Sequence, residues 1–343
     1  MSAAKIKGSL LEFIVRRLLL NCGFISVVPD GLFIYRQRGL TFINGKGAAH
    51  DADVLLNPPM QIPFSYPSRI NFECKAYNKT IGLTIIRNAL GLRTDINEFE
   101  IVTRDHIQRR QNNRRTILAI DNRQRFQYQV GVATVEDFSK DAFEFAANNK
   151  IPLICLRWFL PVNICDLFHQ ITDAYLSQFQ ENDLNDLTQY LKGNDNQNGE
   201  RFTRETDSHI RTILNSFYEF ENRVFIGLLE SGDMLFLFSN TENPREQLLN
   251  RQRLSAQFHY RRRTLDYWTI TINDNLEFGF YLPSRIIEIW RDQNFNAQAA
   301  INLKQELFSR LFLFIRNNNE NELPFKTVNI DRQWLNEING NQE

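Results

Sequence analysis

One stretch of the chain, residues 129–156, restricts the possible folds more than any other. Residues 129–135 are rich in β-branched side chains and predict a strand, and residues 138–149 carry apolar side chains at helical spacing. Residues 151–156 form a continuous apolar run, which is typical of a strand buried on both faces. Strand, helix and strand in succession predict an α/β fold with a mixed β-sheet flanked by helices.

Length and charge narrow the class of protein further. The chain has 343 residues, enough for two domains, and its 43% of hydrophobic residues exclude wholesale disorder. Lys and Arg number 40, as do Asp and Glu, so the formal net charge is zero. Any contact with nucleic acid must therefore come from local basic patches rather than from the field of the whole molecule.

A polar stretch divides the chain. Residues 193–199 contain no apolar side chain and predict a linker. We therefore expect an N-terminal domain over residues 1–160, a helical connector with the polar linker over 161–200, and an α+β domain over 201–343. In the last domain the pattern predicts hairpins over 224–238 and 267–281 and a helix over 297–315, with Trp268 and Trp290 in the core.

Two further features bear on location. The first eight residues lack the apolar core of a signal peptide, and the longest apolar runs are too short to span a bilayer. The four cysteines form no CxxC pair, which predicts buried thiols rather than a zinc site. We expect a cytoplasmic protein that has no contact with membranes. The cysteines are Cys22, Cys74, Cys155 and Cys165.

A charged pair interrupts an otherwise apolar strand. Glu73 and Lys75 are two residues apart in a predicted strand over 69–76, so they project from one face, roughly 6.6 Å apart along the strand. Asp53 precedes the strand before it, across a Pro-rich loop. If the two strands pair in antiparallel fashion, Asp53 and Glu73 converge.

Converging carboxylates beside an ammonium group are the parts of a metal-dependent phosphodiesterase. Mg²⁺ prefers oxygen ligands, which Asp53 and Glu73 would provide, with the backbone carbonyl of Cys74 as a further ligand. The metal would polarise the phosphate, while Lys75 would orient the attacking water or stabilise the developing charge. We expect Mg²⁺ as the cofactor, with Mn²⁺ as a substitute.

These residues, in this context, resemble the restriction-endonuclease-like D…(D/E)xK nucleases, and in particular Mrr-type restriction endonuclease domains. The resemblance rests on Asp53 in His50-Asp51-Ala52-Asp53-Val54, on Glu73-Cys74-Lys75, and on the closing unit over 130–156. It covers the first 160 residues. It implies that Asp53 and Glu73 bind the metal, that Lys75 is catalytic, and that Glu12 in the first helix is aimed at the metal.

Alternatives remain open at several positions. The Glu73–Lys75 pair is also compatible with a plain surface salt bridge on an edge strand. Asp51 competes with Asp53 and would lie on the same strand face. His50 is more often a polar loop residue than a group that assists a metal-bound water, and Glu12 is as compatible with an ordinary helix-face carboxylate.

Two basic clusters are candidates for contacts with nucleic-acid phosphates. Each is also compatible with a solvated surface. The first cluster lies between the predicted active-site helix and the closing strand, and the second adjoins the hairpin at residue 267. The residues are Arg104, Arg109, Arg110, Arg114 and Arg115, and then Arg261, Arg262 and Arg263.

The leading functional hypothesis is a Mg²⁺-dependent endonuclease acting on DNA, with a C-terminal domain for recognition or regulation. The resemblance implies a role in restriction or anti-phage defence. Cleavage of both strands would favour a homodimer, and a partner protein of a defence system is a further possibility. The alternatives are a non-catalytic, partner-regulated interaction protein and an RNA-cleaving nuclease of the same fold.

Overall fold

The structure is a computed structural model that describes residues 2–37, 39–61, 64–100, 108, 125–193, 208–261, 263–316 and 324–340. The described elements up to residue 193 begin with one helix and six short strands, continue with helices and strands in alternation, and end with three helices. They are α1 (Ala3–Asn21), β1 (Ile25–Ser26), β2 (Ile34–Gln37), β3 (Leu40–Asn44), β4 (Ala49–Asp51), β5 (Val54–Asn57), β6 (Ser68–Lys75), α2 (Leu83–Asn97), β7 (Gln127–Thr134), α3 (Lys140–Asn148), β8 (Leu153–Cys155), a 3₁₀ turn (Leu156–Trp158), α4 (Val162–Gln170), α5 (Asp173–Leu176) and α6 (Glu181–Lys192).

A five-stranded mixed sheet organises this part of the chain, in the order β1-β5-β6-β7-β8. The pairs β1–β5 and β5–β6 are antiparallel, whereas the pairs β6–β7 and β7–β8 are parallel. The predicted mixed sheet and its closing strand–helix–strand unit are confirmed. Helix α1 packs on one face of the sheet, where Phe72 and Cys74 are buried, and α2 and α3 pack against Val130 and Val132 on the other.

A smaller antiparallel sheet, β2-β3-β4, stands beside the first. Ile34 and Ile43 from this sheet are buried against Ile96 of α2 and Tyr128 of β7. His50 Nε2 lies 2.6 Å from an oxygen of Asp95 on α2 and so ties β4 to that helix. This small sheet fixes the chain that leads into β5.

The second half forms a closed barrel of seven strands in the order β10-β13-β12-β11-β15-β14-β9. All neighbouring pairs are antiparallel except β11 and β15, which are parallel. Its elements are α7 (Ser208–Phe220), β9 (Val224–Leu229), β10 (Met234–Ser239), α8 (Pro244–Leu249), β11 (Leu254–Arg261), β12 (Thr264–Ile272), β13 (Leu276–Tyr281), α9 (Ser284–Asp292), α10 (Ala297–Leu307), β14 (Arg310–Phe314), β15 (Phe325–Ile330) and α11 (Arg332–Gly340).

Aromatic side chains fill the barrel. Trp268, Trp290 and Phe308 are completely buried, as the sequence predicts. The rings of Trp268 and Trp290 meet edge to face with their centroids 5.5 Å apart, the geometry that aromatic quadrupoles favour. The two predicted hairpins are confirmed as β9–β10 and β12–β13.

The sheet and the barrel share buried contacts. The core that α1 forms with the mixed sheet continues through α4, α6 and α7 to Val224 and Phe314 of the barrel. In the same region the Arg17 guanidinium of α1 donates hydrogen bonds to the carboxylate of Glu221, and both groups are buried. Helix α1 therefore contacts both halves of the chain.

One predicted element is wrong. The apolar spacing over 297–315 predicts a single helix, but α10 ends at Leu307 and the chain continues as the strand β14. Leu311 and Leu313 alternate into the barrel core and pair with β9 and β15, so tertiary strand pairing overrides the helical spacing.

The four cysteines are free and buried, as expected. Of the helices that the structure describes, none combines the length and the apolar character needed to cross a bilayer.

Candidate active site

Strands β5 and β6 bring Asp53 and Glu73 together. Val54 pairs with Phe72 in the antiparallel register, so Asp53, one residue before, stands next to Glu73, one residue after. The backbone N–H of Cys74 donates a hydrogen bond of 2.7 Å to Asp53 Oδ2 and fixes that carboxylate against β6. The predicted pairing of the two strands is confirmed. The Cys74 side chain packs in the core, as expected, while a metal-binding role of its carbonyl stays a prediction.

Lys75 completes the group on the same face of β6. Its Nζ lies 3.1 Å from Glu73 Oε2, and the two side chains are 26% and 21% exposed, so solvent still reaches both. Burial alone would lower the pKa of Lys75, but the carboxylates of Glu73 and Asp53 outweigh it and the pKa is raised. Lys75 therefore carries its positive charge at neutral pH.

Glu12 approaches this group from α1. Burial, followed by repulsion from the Asp53 carboxylate, raises the pKa of Glu12 to about 7, against the opposing effect of Lys192 and Arg16. Burial also raises the pKa of Asp53 to about 6, although the Cys74 N–H and Lys75 favour its charged form. Because the pKa values of Glu12 and Asp53 are both raised, a positive charge placed beside them would stabilise their charged forms.

Asp51 belongs to the same cluster as Asp53 but lies in the small sheet rather than next to β5. The sequence suggests that Asp51 and Asp53 share one strand face, and this is wrong: Asp51 ends β4 of the small sheet, and β5 begins at Val54. Its carboxylate nevertheless raises the pKa of both Asp53 and Glu12, so it lies within electrostatic range of them. His50, on the same strand, is engaged with Asp95.

Sequence reasoning missed a second lysine. Lys192 ends α6. Burial raises the pKa values of Glu12 and Asp51, and the charge of Lys192 opposes that rise in both, so Lys192 is close to the acidic cluster. The helix end is fixed because the Arg16 guanidinium donates a hydrogen bond to the carbonyl of Leu191. Lys192 is 180 residues from Glu12 and 141 from Asp51 in the sequence, so no local pattern could have indicated it.

The donor chemistry of the cluster suits a hard divalent cation. Asp53, Glu73 and Glu12 offer carboxylate oxygens, the ligands that Mg²⁺ prefers. Burial raises the pKa values of Asp53 and Glu12, so a bound cation would stabilise their charged forms. Within the described ranges, however, no group of three or more His, Cys, Asp or Glu side chains is arranged to hold a metal ion. The residues therefore fit the cation in chemistry, while their side chains are not gathered around one point.

The predicted nucleic-acid contacts fall largely outside the described residues. Arg104, Arg109, Arg110, Arg114 and Arg115 lie there, as does Arg262. Arg261 and Arg263 flank the turn between β11 and β12 and are both exposed. Exposure is compatible with a phosphate contact, and a role for all eight residues in DNA binding stays a prediction.

The chain is thus an α/β protein in which four carboxylates and two lysines lie near one edge of β5 and β6, next to a seven-stranded barrel. The mixed sheet supplies Glu73 and Lys75, and Asp53 directly precedes β5, whereas Glu12, Asp51 and Lys192 come from α1, the small sheet and α6. No protein-family model matches the sequence, and a search of curated proteins gives no match. It is similar to a solved structure described as "Crystal Structure of Protein of Unknown Function AF1548", at 12% identity and a TM-score of 0.29, over 56% of this chain and 100% of that one. A likeness of this size carries no argument.

Proposed function

We propose that the protein is a metal-dependent endonuclease that hydrolyses phosphodiester bonds in DNA. One observation carries the proposal: Asp53 and Glu73 converge from adjacent strands, with Lys75 beside them and Glu12 in electrostatic range. Two acids and an amine in this arrangement are suited to activating water next to a phosphate. The setting that the sequence resemblance implies is restriction or anti-phage defence.

We also propose that residues 1–160 have the restriction-endonuclease-like fold. Three features support this: the mixed sheet with antiparallel β5–β6 and parallel β6–β7–β8, the helix α1 that precedes it, and the helix α2 that follows β6. In this proposal the barrel supplies recognition or regulation.

The residues would divide the chemistry as follows. Asp53 and Glu73 would hold Mg²⁺, or Mn²⁺ in its place, and Glu12 would add a third carboxylate. The bound ion would supply Lewis-acid polarisation of the scissile phosphate. Lys75 keeps its proton, orients the attacking water and stabilises negative charge on the phosphate oxygens. The Cys74 N–H holds Asp53 in its orientation.

A second candidate is a non-catalytic, partner-regulated interaction protein. It is favoured by the ion pair between Glu73 and Lys75 and by the lack of a gathered three-ligand group in the part of the chain that the structure describes. In that case the cluster would be a structural charge network. RNA cleavage by the same residues is the third possibility.

The experiment is a nicking assay on supercoiled plasmid with Mg²⁺ or Mn²⁺. We expect the wild type to cut and Asp53→Asn and Lys75→Ala to lose the activity. Lys46→Ala is the matched control, since Lys46 forms an exposed ion pair with Glu98, which is not part of the cluster. Cutting that persists in Asp53→Asn would place the active site elsewhere, cutting of RNA alone would support the third possibility, and an inert wild type would support the second.

Cleavage of both strands of a duplex usually involves two active sites, so we propose a homodimer as the species that makes double-strand breaks. Sedimentation of the protein with and without duplex DNA tests this. A monomer that linearises plasmid would contradict it.

A further inference from the structure

A cleft opens directly after Lys75. It has a volume of about 730 Å³ and is formed by residues 77–82 and the first turn of α2. Pockets that hold small organic ligands span about 300–1,000 Å³, so one nucleotide fits within this size. The cleft adjoins the acidic cluster because it begins two residues beyond Lys75.

The wall of the cleft is held in place from two sides. Lys7 of α1 donates a hydrogen bond of 3.0 Å from Nζ to Asn78 Oδ1. Farther along, the Ile81 N–H donates to the carbonyl of Asp137 and the Ser139 N–H donates to the carbonyl of Ile81, both at 2.9 Å. A loop anchored in this way presents a shape that is formed before any ligand arrives.

The lining combines an aromatic surface with positive charge. Tyr77 is 45% exposed and lines the cleft two residues beyond Lys75, so it offers a ring face at the end nearest the proposed catalytic amine. Lys79 is exposed, and no acidic residue is among the lining side chains. Gly82 is the N-cap residue of α2, and Thr84 and Ile85 of the first turn also line the cleft, so the positive end of the helix adjoins it.

We propose that this cleft binds one nucleotide of the substrate strand next to the scissile phosphate, with its base unpaired and stacked on Tyr77. Lys79 lies beside the phosphate of that nucleotide. The inference rests on the proposed function and names its substrate: single-stranded or locally opened DNA. A base inside a duplex is covered on both faces by its neighbours, so stacking on Tyr77 requires that the base leave the duplex.

Binding of short oligonucleotides tests the inference. The probes are a 12-nucleotide single strand and the matching duplex, each with a central 2-aminopurine, in Ca²⁺ to occupy carboxylate sites without Mg²⁺. The variants are Tyr77→Ala and Tyr77→Phe. Tyr66→Ala is the matched control, because Tyr66 is 53% exposed and lies before the start of β6, roughly 25 Å along the strand from Tyr77.

The expected result is a loss of single-strand affinity of about tenfold or more in Tyr77→Ala, with Tyr77→Phe and Tyr66→Ala close to wild type. Lys79→Ala should reduce the salt dependence of single-strand binding by about one ion. With the wild-type protein, stacking should quench the 2-aminopurine fluorescence of the single strand, a readout that needs no variant to fold.

Unchanged affinity in Tyr77→Ala, an equal loss in Tyr66→Ala, or tighter binding of intact duplex than of single strand would overturn the inference. The plasmid assay separates it from the proposed function. If nicking depends on Asp53 and Lys75 but single-strand affinity does not change in Tyr77→Ala, this inference is wrong and the proposed function stands. If single-strand affinity falls in Tyr77→Ala but the wild type cuts no nucleic acid, the proposed function is wrong and the nucleotide-binding cleft stands.

Discussion

Replacement of Glu12 by Gln should make the metal-free protein more stable at neutral and basic pH. Burial, followed by repulsion from Asp53, raises the pKa of Glu12 from 4.5 to about 7. Between these values the folded protein keeps a proton that the unfolded chain has lost, so stability falls as the pH rises through this window. Above pH 7 the full free-energy cost of burying the charged Glu12 is present.

The size of the effect follows from the difference between the two pKa values. At 1.36 kcal/mol for each pKa unit, a rise from 4.5 to about 7 corresponds to roughly 3 kcal/mol of lost stability above pH 7. Gln removes the charge but must still bury an amide, which reduces the gain. We therefore expect Glu12→Gln to be more stable than wild type by about 1–3 kcal/mol at pH 8 and by nothing measurable at pH 4.5.

Urea unfolding in EDTA at several pH values between 4.5 and 8.5 measures this difference. Glu144→Gln on the exposed face of α3 is the control, and it should change stability by less than about 0.5 kcal/mol at any pH. A Glu12→Gln protein that is less stable than wild type at pH 8, or whose difference from wild type does not vary with pH, would refute the reasoning.

Three further predictions follow from single contacts. Lys192→Ala should tighten Mn²⁺ binding about fivefold, since it removes a cation whose repulsion of the metal ion is on the order of 1 kcal/mol. Calorimetric titration measures the affinity, and an unchanged affinity would contradict the reasoning. Gly131→Ala should lower stability by about 1–3 kcal/mol in urea unfolding, because its Cβ would lie 2.4 Å from the ring of Phe72; full stability would contradict this. Lys304→Met should raise stability at pH 7 and lose that advantage between about pH 8 and 10.5. Burial lowers the pKa of Lys304 to about 8 in the folded protein, whereas the unfolded chain keeps the proton up to its ordinary pKa of 10.5. A stability advantage at pH 10 equal to that at pH 7 would contradict the prediction.

The mixed sheet and the pairing of Asp53 with Glu73 could be predicted because each rests on a local pattern. Residues 129–156 alternate strand, helix and strand with little ambiguity, and Glu73 and Lys75 are a charged pair on a strand whose other face is apolar. Once β5 and β6 pair, the spacing of the side chains along a strand decides which residues meet.

The rest depends on contacts between distant segments. Lys192 reaches the cluster because α6 packs on α1, and the cleft after Lys75 is bounded by a loop that Lys7 of α1 contacts at Asn78. The barrel closes by a parallel pair between β11 and β15, in which Leu254 meets Val328, and no hairpin signal connects them. In residues 308–315 the apolar spacing suits a helix as well as a strand, and only pairing with β9 and β15 decides between them.

The most direct test of the account is titration of the protein with Mn²⁺, monitored by calorimetry at pH 7.5. The account predicts one saturable site in wild type that is lost in Asp53→Asn and in Glu73→Gln and retained in the distant Glu144→Gln. A wild-type protein that binds no Mn²⁺, or a site that survives both substitutions, would contradict the claim that these carboxylates form a metal-dependent nuclease centre.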